Sequence, residues 1–393
     1  MERTLTFSAA KKAKNSGIFS TMVKPVGSTC NLRCAYCYYL EKAELYGGHQ
    51  PVMSIELLEE YIRQYIAAVE TPVVSFCWHG GEPLIAGLPF FRKAVELQRK
   101  YANGKRIENS LQTNGTLVNE EWCQFFYENQ FLIGLSLDGT PPVHDTYRKD
   151  AGGHPTFEKV LRAAAMMQHF HVDFNILATV NHQSVGRGKE VYQFLRQLSP
   201  FIQFLPVVEE GVGVTGQEYG DFMCDVYDEW RKTDIGRVYV QLFDVTLEQW
   251  CGHAASLCAL GETCGDSMVV EHNGDVYCCD HFVAPEYKMG NILHPGESLS
   301  ELKKSQIRFD FSARKFAELP GQCRKCQWLF LCHGGCMEHR LLNTRKGEDH
   351  LNSFCKGYKR FFEHTESDMR QMRSLLERGL PPAMIMQEKR LKQ

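Results

Sequence analysis

No stretch of the 393 residues reaches the roughly 18 consecutive apolar residues needed for a membrane-crossing helix. The segment from Met1 to Ser20 carries Arg3, Lys11, Lys12 and Lys14 but lacks the apolar run of a signal peptide, so the expected location is the cytoplasm. Basic charge is not in excess. Lys and Arg number 44 against 47 Asp and Glu, a net charge of −3, so neither nucleic acid nor an anionic membrane is an expected partner. No internal repeat or long low-complexity linker interrupts the chain. With 44% hydrophobic and 23% charged residues it reads as a soluble globular protein, large enough for two or three units at roughly 100–200 residues each.

Cysteine, by contrast, is abundant, with 16 residues. A long chain without an export signal has little use for a disulfide framework, and the cysteines gather in short clusters suited to thiolate ligation of metal. Cys30, Cys34 and Cys37 form the first cluster; Cys323, Cys326, Cys332 and Cys336 form the last.

From Ile18 to Val208 short β-rich runs alternate with amphipathic helical stretches. The expected strands are Phe19 to Val26, Val73 to Trp78, Ile107 to Thr113, Leu132 to Leu137, Phe174 to Val180 and Ile202 to Val208, each bounded by Gly, Asn, Asp or Pro. Ser54 is expected to cap a helix with the apolar face Leu58, Ile62, Ile66 and Val69, and Thr156 another running to Phe170. Six βα units with right-handed crossovers imply a parallel sheet curled into part of a barrel, with chemistry at the C-terminal ends of its strands. Beyond Glu209 helices (Tyr219 to Lys232, Val238 to Trp250) give way to a Cys- and Gly-rich region with few regular elements, and the charged tail is expected to be helical to Glu377. The expected division is 18–235, 236–362 and 363–393.

Cys30-x3-Cys34-x2-Cys37 sets three thiolates within one short loop. Three buried cysteines on one helical face, or a zinc site completed by histidine, would use the same residues. A four-iron cluster normally takes four cysteines, so three leave one iron open to a substrate, and Tyr36 is placed to stack on a ligand there. Downstream, His79-Gly80-Gly81-Glu82-Pro83 follows the second strand; its glycines admit close approach of the main chain and Glu82 can accept bonds from an ammonium. A plain Gly-Gly turn before a helix is the alternative. Gly211-Val-Gly213-Val-Thr-Gly216 matches a dinucleotide fingerprint but follows the sixth strand rather than the first, so a rim loop is expected there.

The cysteine triad with its aromatic residue resembles the signature of the radical S-adenosylmethionine (SAM) family, and Gly80-Gly81-Glu82-Pro83 resembles that family's GGEP motif. The resemblance implies a four-iron cluster whose open iron chelates SAM, and cleavage of SAM to a 5′-deoxyadenosyl radical. It also implies SAM contacts from Tyr36, Gly80, Gly81, Glu82, Ser136, Arg148 and Leu205. Cys264-x9-Gly274-x4-Cys279, Cys323-x2-Cys326-x5-Cys332-x3-Cys336 and Cys355 resemble the SPASM pattern of radical SAM enzymes acting on peptides and proteins. With Cys258, this implies one auxiliary cluster on Cys258, Cys264, Cys279 and Cys336 and a second on Cys323, Cys326, Cys332 and Cys355, hence three [4Fe-4S] clusters in all. Cys278 competes with Cys279, and only the Gly274-x4-Cys spacing selects the latter. Two zinc ribbons are the alternative reading of these cysteines. Cys77, Cys123, Cys224, Cys251 and Cys278 are left as small buried hydrophobes.

Cys279-Asp280, with Pro206-Val-Val-Glu209 and the stretch from Gly265 to His281, resembles a narrower group, the anaerobic sulfatase-maturating enzymes. That resemblance implies an α/β partial (β/α)6 barrel, a SPASM domain and a C-terminal helix. It implies oxidation of a cysteine or serine in an unfolded or nascent sulfatase polypeptide to Cα-formylglycine, with Asp280 as general base and an electron donor such as flavodoxin or ferredoxin. A SPASM peptide maturase forming thioether or carbon–carbon crosslinks is the other enzymatic reading; the short segment before the first strand, without a peptide-binding domain, speaks against it. A noncatalytic electron-transfer or zinc-binding protein would have no use for the open-site triad.

Overall fold

The computed structural model describes residues 19–48, 51–264 and 267–388. The segment before Phe19 and positions 389–393 of the expected tail lie outside them. Ten strands form one sheet: β1 (Ser20–Lys24), β2 (Val73–Trp78), β3 (Arg106–Thr113), β4 (Phe131–Ser136), β5 (Phe174–Val180), β6 (Phe201–Pro206), β7 (Tyr239–Val240), β8 (Ser267–Glu271), β9 (Asp275–Tyr277) and β10 (Lys288–Asn291). Their spatial order is β10-β9-β8-β1-β2-β3-β4-β5-β6-β7. The run from β8 through β1 to β7 is parallel, and β9 and β10 are antiparallel additions.

The main helices are α1 (Ile55–Ala68), α2 (Leu88–Tyr101), α3 (Glu120–Glu128), α4 (Phe157–His169), α5 (Gly188–Leu195), α6 (Gly216–Thr233), α7 (Gln241–Trp250), α8 (Gln306–Ala317) and α9 (Cys355–Glu377). Ser54 caps α1 by accepting from the Leu57 N–H at 3.2 Å. Thr156 does not cap α4 through its side chain, because its hydroxyl is spent on the Arg148 carbonyl and His144. Asp145 Oδ1 instead accepts from the Thr156 and Phe157 amides at 2.9 and 2.8 Å.

Strand alternation explains where the site must lie. Parallel strands covered on both faces usually read as continuous apolar runs. In β5, Phe174, Ile176, Ala178 and Val180 are buried while Asn175, Leu177 and Thr179 are only partly so. The first set packs under the helices; the second lines the lumen. The same alternation recurs in β2 and β6, so the lumen side of the sheet is less tightly packed than the side under the helices.

The cysteine-rich region is more regular than expected. Its strand β8 pairs with β1 along Ser20 to Lys24, so the barrel sheet continues into it without a break. The boundary expected at 362/363 falls inside α9, which starts at Cys355 and ends at Glu377. Helix α9 crosses α6 through glycines: a Cβ on Gly357 would lie 2.2 Å from the Gly216 carbonyl oxygen, and one on Gly220 2.6 Å from Gly357 Cα. Gly216 of the fingerprint-like loop therefore serves helix packing, and Thr215 and Glu218 form the capping box that starts α6.

Candidate active site

Strand β1 ends at Lys24, and the chain turns through Pro25 to Thr29 into the cysteine triad. The His79-to-Pro83 segment at the end of β2 is bonded to the base of that turn: the Gly81 amide donates to Gly27 O at 2.8 Å and the Glu82 amide to Thr29 O at 2.9 Å. A Cβ on Gly81 would sit 2.1 Å from Thr29 O, and one on Gly80, at φ +128°, 2.8 Å from Gly27 O. The two glycines thus permit a direct main-chain junction between the motifs. The Glu82 carboxylate is fully buried and accepts from the Leu84 amide (3.1 Å), the Thr113 hydroxyl (2.8 Å) and the Asn114 amide (2.7 Å). Burial pushes it up to about 7 against the pull of those donors. The side chain expected to meet an ammonium is thereby engaged with the end of β3.

Tyr36 lies in the triad loop with its ring beside Tyr147 and the Arg148 guanidinium, 5.5 Å from the ring centroid. Its hydroxyl donates to Asp138, which also accepts from Arg148 Nε at 3.0 Å and from the Thr179 amide at 2.9 Å. Asp138, in the Asp138-Gly139 turn expected at the rim after the fourth strand, thereby joins the triad loop, Arg148 and β5. Burial pushes the Cys34 thiol up to about 11, against the opposing pull of Arg148. Ser136 ends β4 and accepts from Gln112 Nε2 at 3.2 Å; Leu205 on β6 is 37% exposed. The Thr179 hydroxyl and the Asn181 amide nitrogen are buried at the same strand ends without a protein partner.

Across the lumen, the Tyr38 hydroxyl donates to Asp280 Oδ2 at 2.7 Å, and Cys279 Sγ lies 3.7 Å from Oδ1. Tyr38 directly follows Cys37, so one hydrogen bond joins the triad loop to the Cys279 loop. Burial alone would raise the Asp280 carboxyl, but His281, Lys24, His79 and Tyr38 together hold it well below the usual range. His281 stacks on Tyr38, with centroids 4.6 Å apart, and its Nδ1 lies 2.5 Å from Glu338 Oε2. Burial and then Lys24 push His79 down to about 4.

Lys24 is one residue that sequence reasoning missed. It is fully buried, its Nζ has no hydrogen-bond partner, and it lies 3.4 Å from the Tyr39 ring centroid, where Asp280 and Glu271 act on its charge. It ends β1 on the same side as Ser20 and Met22, paired in register with Glu271 of β8.

The C-terminal cysteines fall into two neighbourhoods. Burial, the Asp280 carboxylate and the thiols of Cys336 and Cys264 all push Cys279 upward; Cys264 also acts on Cys258 and Cys336. Cys323, Cys326, Cys332 and Cys355 act on one another and line a shared cavity with Trp328, Tyr358, Lys359 and Phe362. Cys278 is buried away from both, with Arg308 as its charged neighbour. Cys123 and Cys224 are likewise buried, whereas Cys77 and Cys251 are only partly so.

The radical SAM superfamily model matches residues 25–195, and the model for the SPASM iron–sulfur cluster-binding domain matches 258–327. A serine-type anaerobic sulfatase-maturating enzyme of Bacteroides thetaiotaomicron is 43% identical over 93% of this chain and 94% of its own. The chain belongs to the anaerobic sulfatase-maturating enzymes. A cysteine-type member from Clostridium perfringens is 36% identical over 88% of this chain and 95% of its own. The solved structure of native anSMEcpe with bound AdoMet and Cp18Cys peptide superposes with a TM-score of 0.82 at 35% identity, covering 90% of this chain and 99% of that one.

The residues of this sulfatase-maturating enzyme fit the groups its family binds. Among the described residues, no three His, Cys, Asp or Glu side chains close on a point tightly enough for a single metal ion. Cys323, Cys326, Cys332 and Cys355 surround a void that a polynuclear cluster on four thiolates would fill. The indole N–H of Trp328 at this cavity is buried without a protein acceptor, as a donor to cluster sulfur would be. At the barrel rim the orphaned Thr179 hydroxyl and Asn181 amide, near half-exposed Leu205 and Ser136, provide the mixed polar and apolar surface that a nucleoside requires.

Proposed function

We propose that this enzyme oxidises a cysteine or serine side chain of an unfolded or nascent sulfatase polypeptide to Cα-formylglycine, using SAM and three [4Fe-4S] clusters. The observation that carries the reading is the Tyr38–Asp280 bond at 2.7 Å, which sets a carboxylate between the open-site triad and Cys279. In this reading Cys30, Cys34 and Cys37 hold the radical-generating cluster. Cys258, Cys264, Cys279 and Cys336 hold the first auxiliary cluster; Cys323, Cys326, Cys332 and Cys355 hold the second. Bound there, the cofactors supply hydrogen-atom abstraction and a one-electron acceptor.

The chain's own residues position the substrate and handle its proton. The Gly80–Gly81 main chain, with Tyr36, Ser136, Arg148 and Leu205, forms the SAM cradle, and Glu82 braces it from behind. Arg148 acts from a fixed place, since Asp138 already orients its guanidinium. Asp280 accepts the proton from the substrate sulfur or oxygen. The cations and the Tyr38 hydroxyl around it keep it ionised and ready, at the expense of basicity. A weakly basic carboxylate suffices if the proton leaves after the adjacent Cβ hydrogen, because a radical centre acidifies its neighbouring O–H or S–H. An external donor of flavodoxin or ferredoxin type supplies the reducing electron, and a cytoplasmic setting suits the exposed cluster chemistry.

The test is mass spectrometry of a sulfatase-derived peptide containing C-x-P-x-R or S-x-P-x-R after incubation with reconstituted enzyme, SAM and reductant. The expected product carries the aldehyde, formed directly from serine and, from cysteine, by hydrolysis of the thioaldehyde with release of hydrogen sulfide. An unmodified peptide alongside vigorous SAM cleavage, or a crosslinked one, would overturn the assignment.

A further inference from the structure

Two cations are buried between the cysteine quartets, and among the described residues neither forms an ion pair with a carboxylate. Lys315, near the end of α8, is fully buried, and Arg340, four positions after Cys336, is 6% exposed. Lys315 Nζ donates to the carbonyls of Cys258 at 2.7 Å and Ala259 at 3.1 Å. Arg340 donates from Nε to Gly334 O (3.2 Å), from Nη1 to Lys315 O (2.7 Å) and from Nη2 to His333 O (3.2 Å). The arrangement is built for them: a Cβ on Gly334, at φ +79°, would lie 2.7 Å from Arg340 Nη2. Glu318, the carboxylate whose charge reaches Arg340, is itself bonded to Arg314 at 2.7 Å.

Carbonyl oxygens satisfy the donors but not the charge, and removing an ammonium or guanidinium from water is costly unless an opposite charge compensates. What faces these cations is sulfur. Burial pulls both groups below their ordinary values, and sulfur opposes it: Cys264, Cys336 and Cys258 favour the charged form of Lys315, and Cys264, Cys323 and Cys336 that of Arg340. A cluster on four thiolates is anionic in both oxidation states and gains negative charge on reduction, so nearby fixed positive charge favours the reduced form. The first quartet has both cations beside it, whereas the second has Arg340 through Cys323 and, at the cavity wall, Lys359.

We propose that Lys315 and Arg340 are positioning residues that act as buried counter-charges to the auxiliary clusters, raising above all the reduction potential of the one held by Cys258, Cys264, Cys279 and Cys336. The proposal rests on the reading that these quartets hold iron–sulfur clusters, not on which peptide is oxidised. The centre nearer Asp280 is thereby made the stronger acceptor.

The test compares holoenzyme with Lys315→Gln and Arg340→Gln, which keep a donor for the carbonyls but lose the charge, and with Arg340→Lys, which keeps the charge. Iron and sulfide are counted per chain, and the auxiliary signals are followed by EPR during a redox titration. The expected result is full iron content with the reduced-to-oxidised ratio at fixed poise lowered at least tenfold in each Gln variant, equal to about 59 mV for one electron, and restored in Arg340→Lys. Full iron with unchanged potentials would overturn the proposal. Should Arg340→Gln lose iron, Lys315→Gln decides on the same criterion. Wild-type protein without iron at either quartet would instead refute the underlying cluster reading.

Discussion

Asp138→Ala removes one acceptor from three donors at once: the Tyr36 hydroxyl, Arg148 Nε at 3.0 Å and the Thr179 amide at 2.9 Å. Side-chain exposure is 0% for Asp138 and 10% for Arg148, so water has little access to replace the lost carboxylate. Stranding the charge of such a buried pair costs about 3–5 kcal/mol, and leaving the amide unpaired adds about 1 kcal/mol. At a urea m-value of about 3 kcal/mol/M, the unfolding midpoint should fall by roughly 1–2 M. The measurement is a urea titration of reconstituted enzyme under anaerobic conditions, with far-UV circular dichroism and visible cluster absorbance read from one cell. Because Tyr36 immediately precedes Cys37, part of the visible absorbance should be lost at lower urea than the helical signal. The double variant Asp138→Ala/Arg148→Met removes the stranded charge and should be more stable than Asp138→Ala alone, by about 1–3 kcal/mol. A midpoint for Asp138→Ala within about 0.2 M of wild type, or a double variant as unstable as the sum of its parts, would refute the reasoning.

Replacing Cys30, Cys34 and Cys37 by Ala should lower iron from about twelve to about eight per chain and abolish reductive SAM cleavage; retained cleavage would exclude the triad as the site. Asp280→Asn should keep iron and SAM cleavage while slowing aldehyde formation about 10²–10⁴-fold; a wild-type rate, or a loss that merely tracks auxiliary iron, would remove the base assignment. Gly81→Ala drives a Cβ to 2.1 Å from Thr29 O and should destabilise by about 1–3 kcal/mol, lowering N-terminal iron while the auxiliary clusters persist. Glu82, held up to about 7 by burial against about 4.3 for a free glutamate, should contribute stability that is full below its unfolded value and lost as pH rises through 7. The wild-type urea midpoint should therefore fall relative to Glu82→Gln between about pH 4.5 and pH 7.5 and run parallel to it at higher pH; profiles parallel throughout would contradict this.

The barrel was legible because its strands are short, bounded by turn residues and separated by amphipathic helices; Val73–Trp78 and Phe174–Val180 match the expected limits residue for residue. The cysteine groups were legible because ligand spacing is local. What stayed hidden was non-local. That β8 joins β1 depends on a pairing between distant segments, which no local period encodes. Lys24, Lys315 and Arg340 look like ordinary surface cations in sequence, and only burial reveals their role. Asp138 is concealed in the same way: Asp-Gly after a strand signals a turn, not the junction of Tyr36, Arg148 and β5.

The pairing of β1 with β8 also bears on how the protein is made. On the ribosome β1 emerges before the other strands, whereas its partner β8 follows only after nearly all of the barrel has been synthesised. At about 5–20 residues per second, that leaves one edge of β1 unpaired for on the order of ten to fifty seconds. An unpaired strand edge is a template for the wrong neighbour, including the same strand on an adjacent nascent chain. Biosynthesis of this fold therefore carries an early aggregation hazard that ends with the arrival of Ser267–Glu271. Slower initiation or a bound chaperone should raise the soluble yield more than any adjustment of iron supply, because that edge of β1 stays open until β8 has been synthesised.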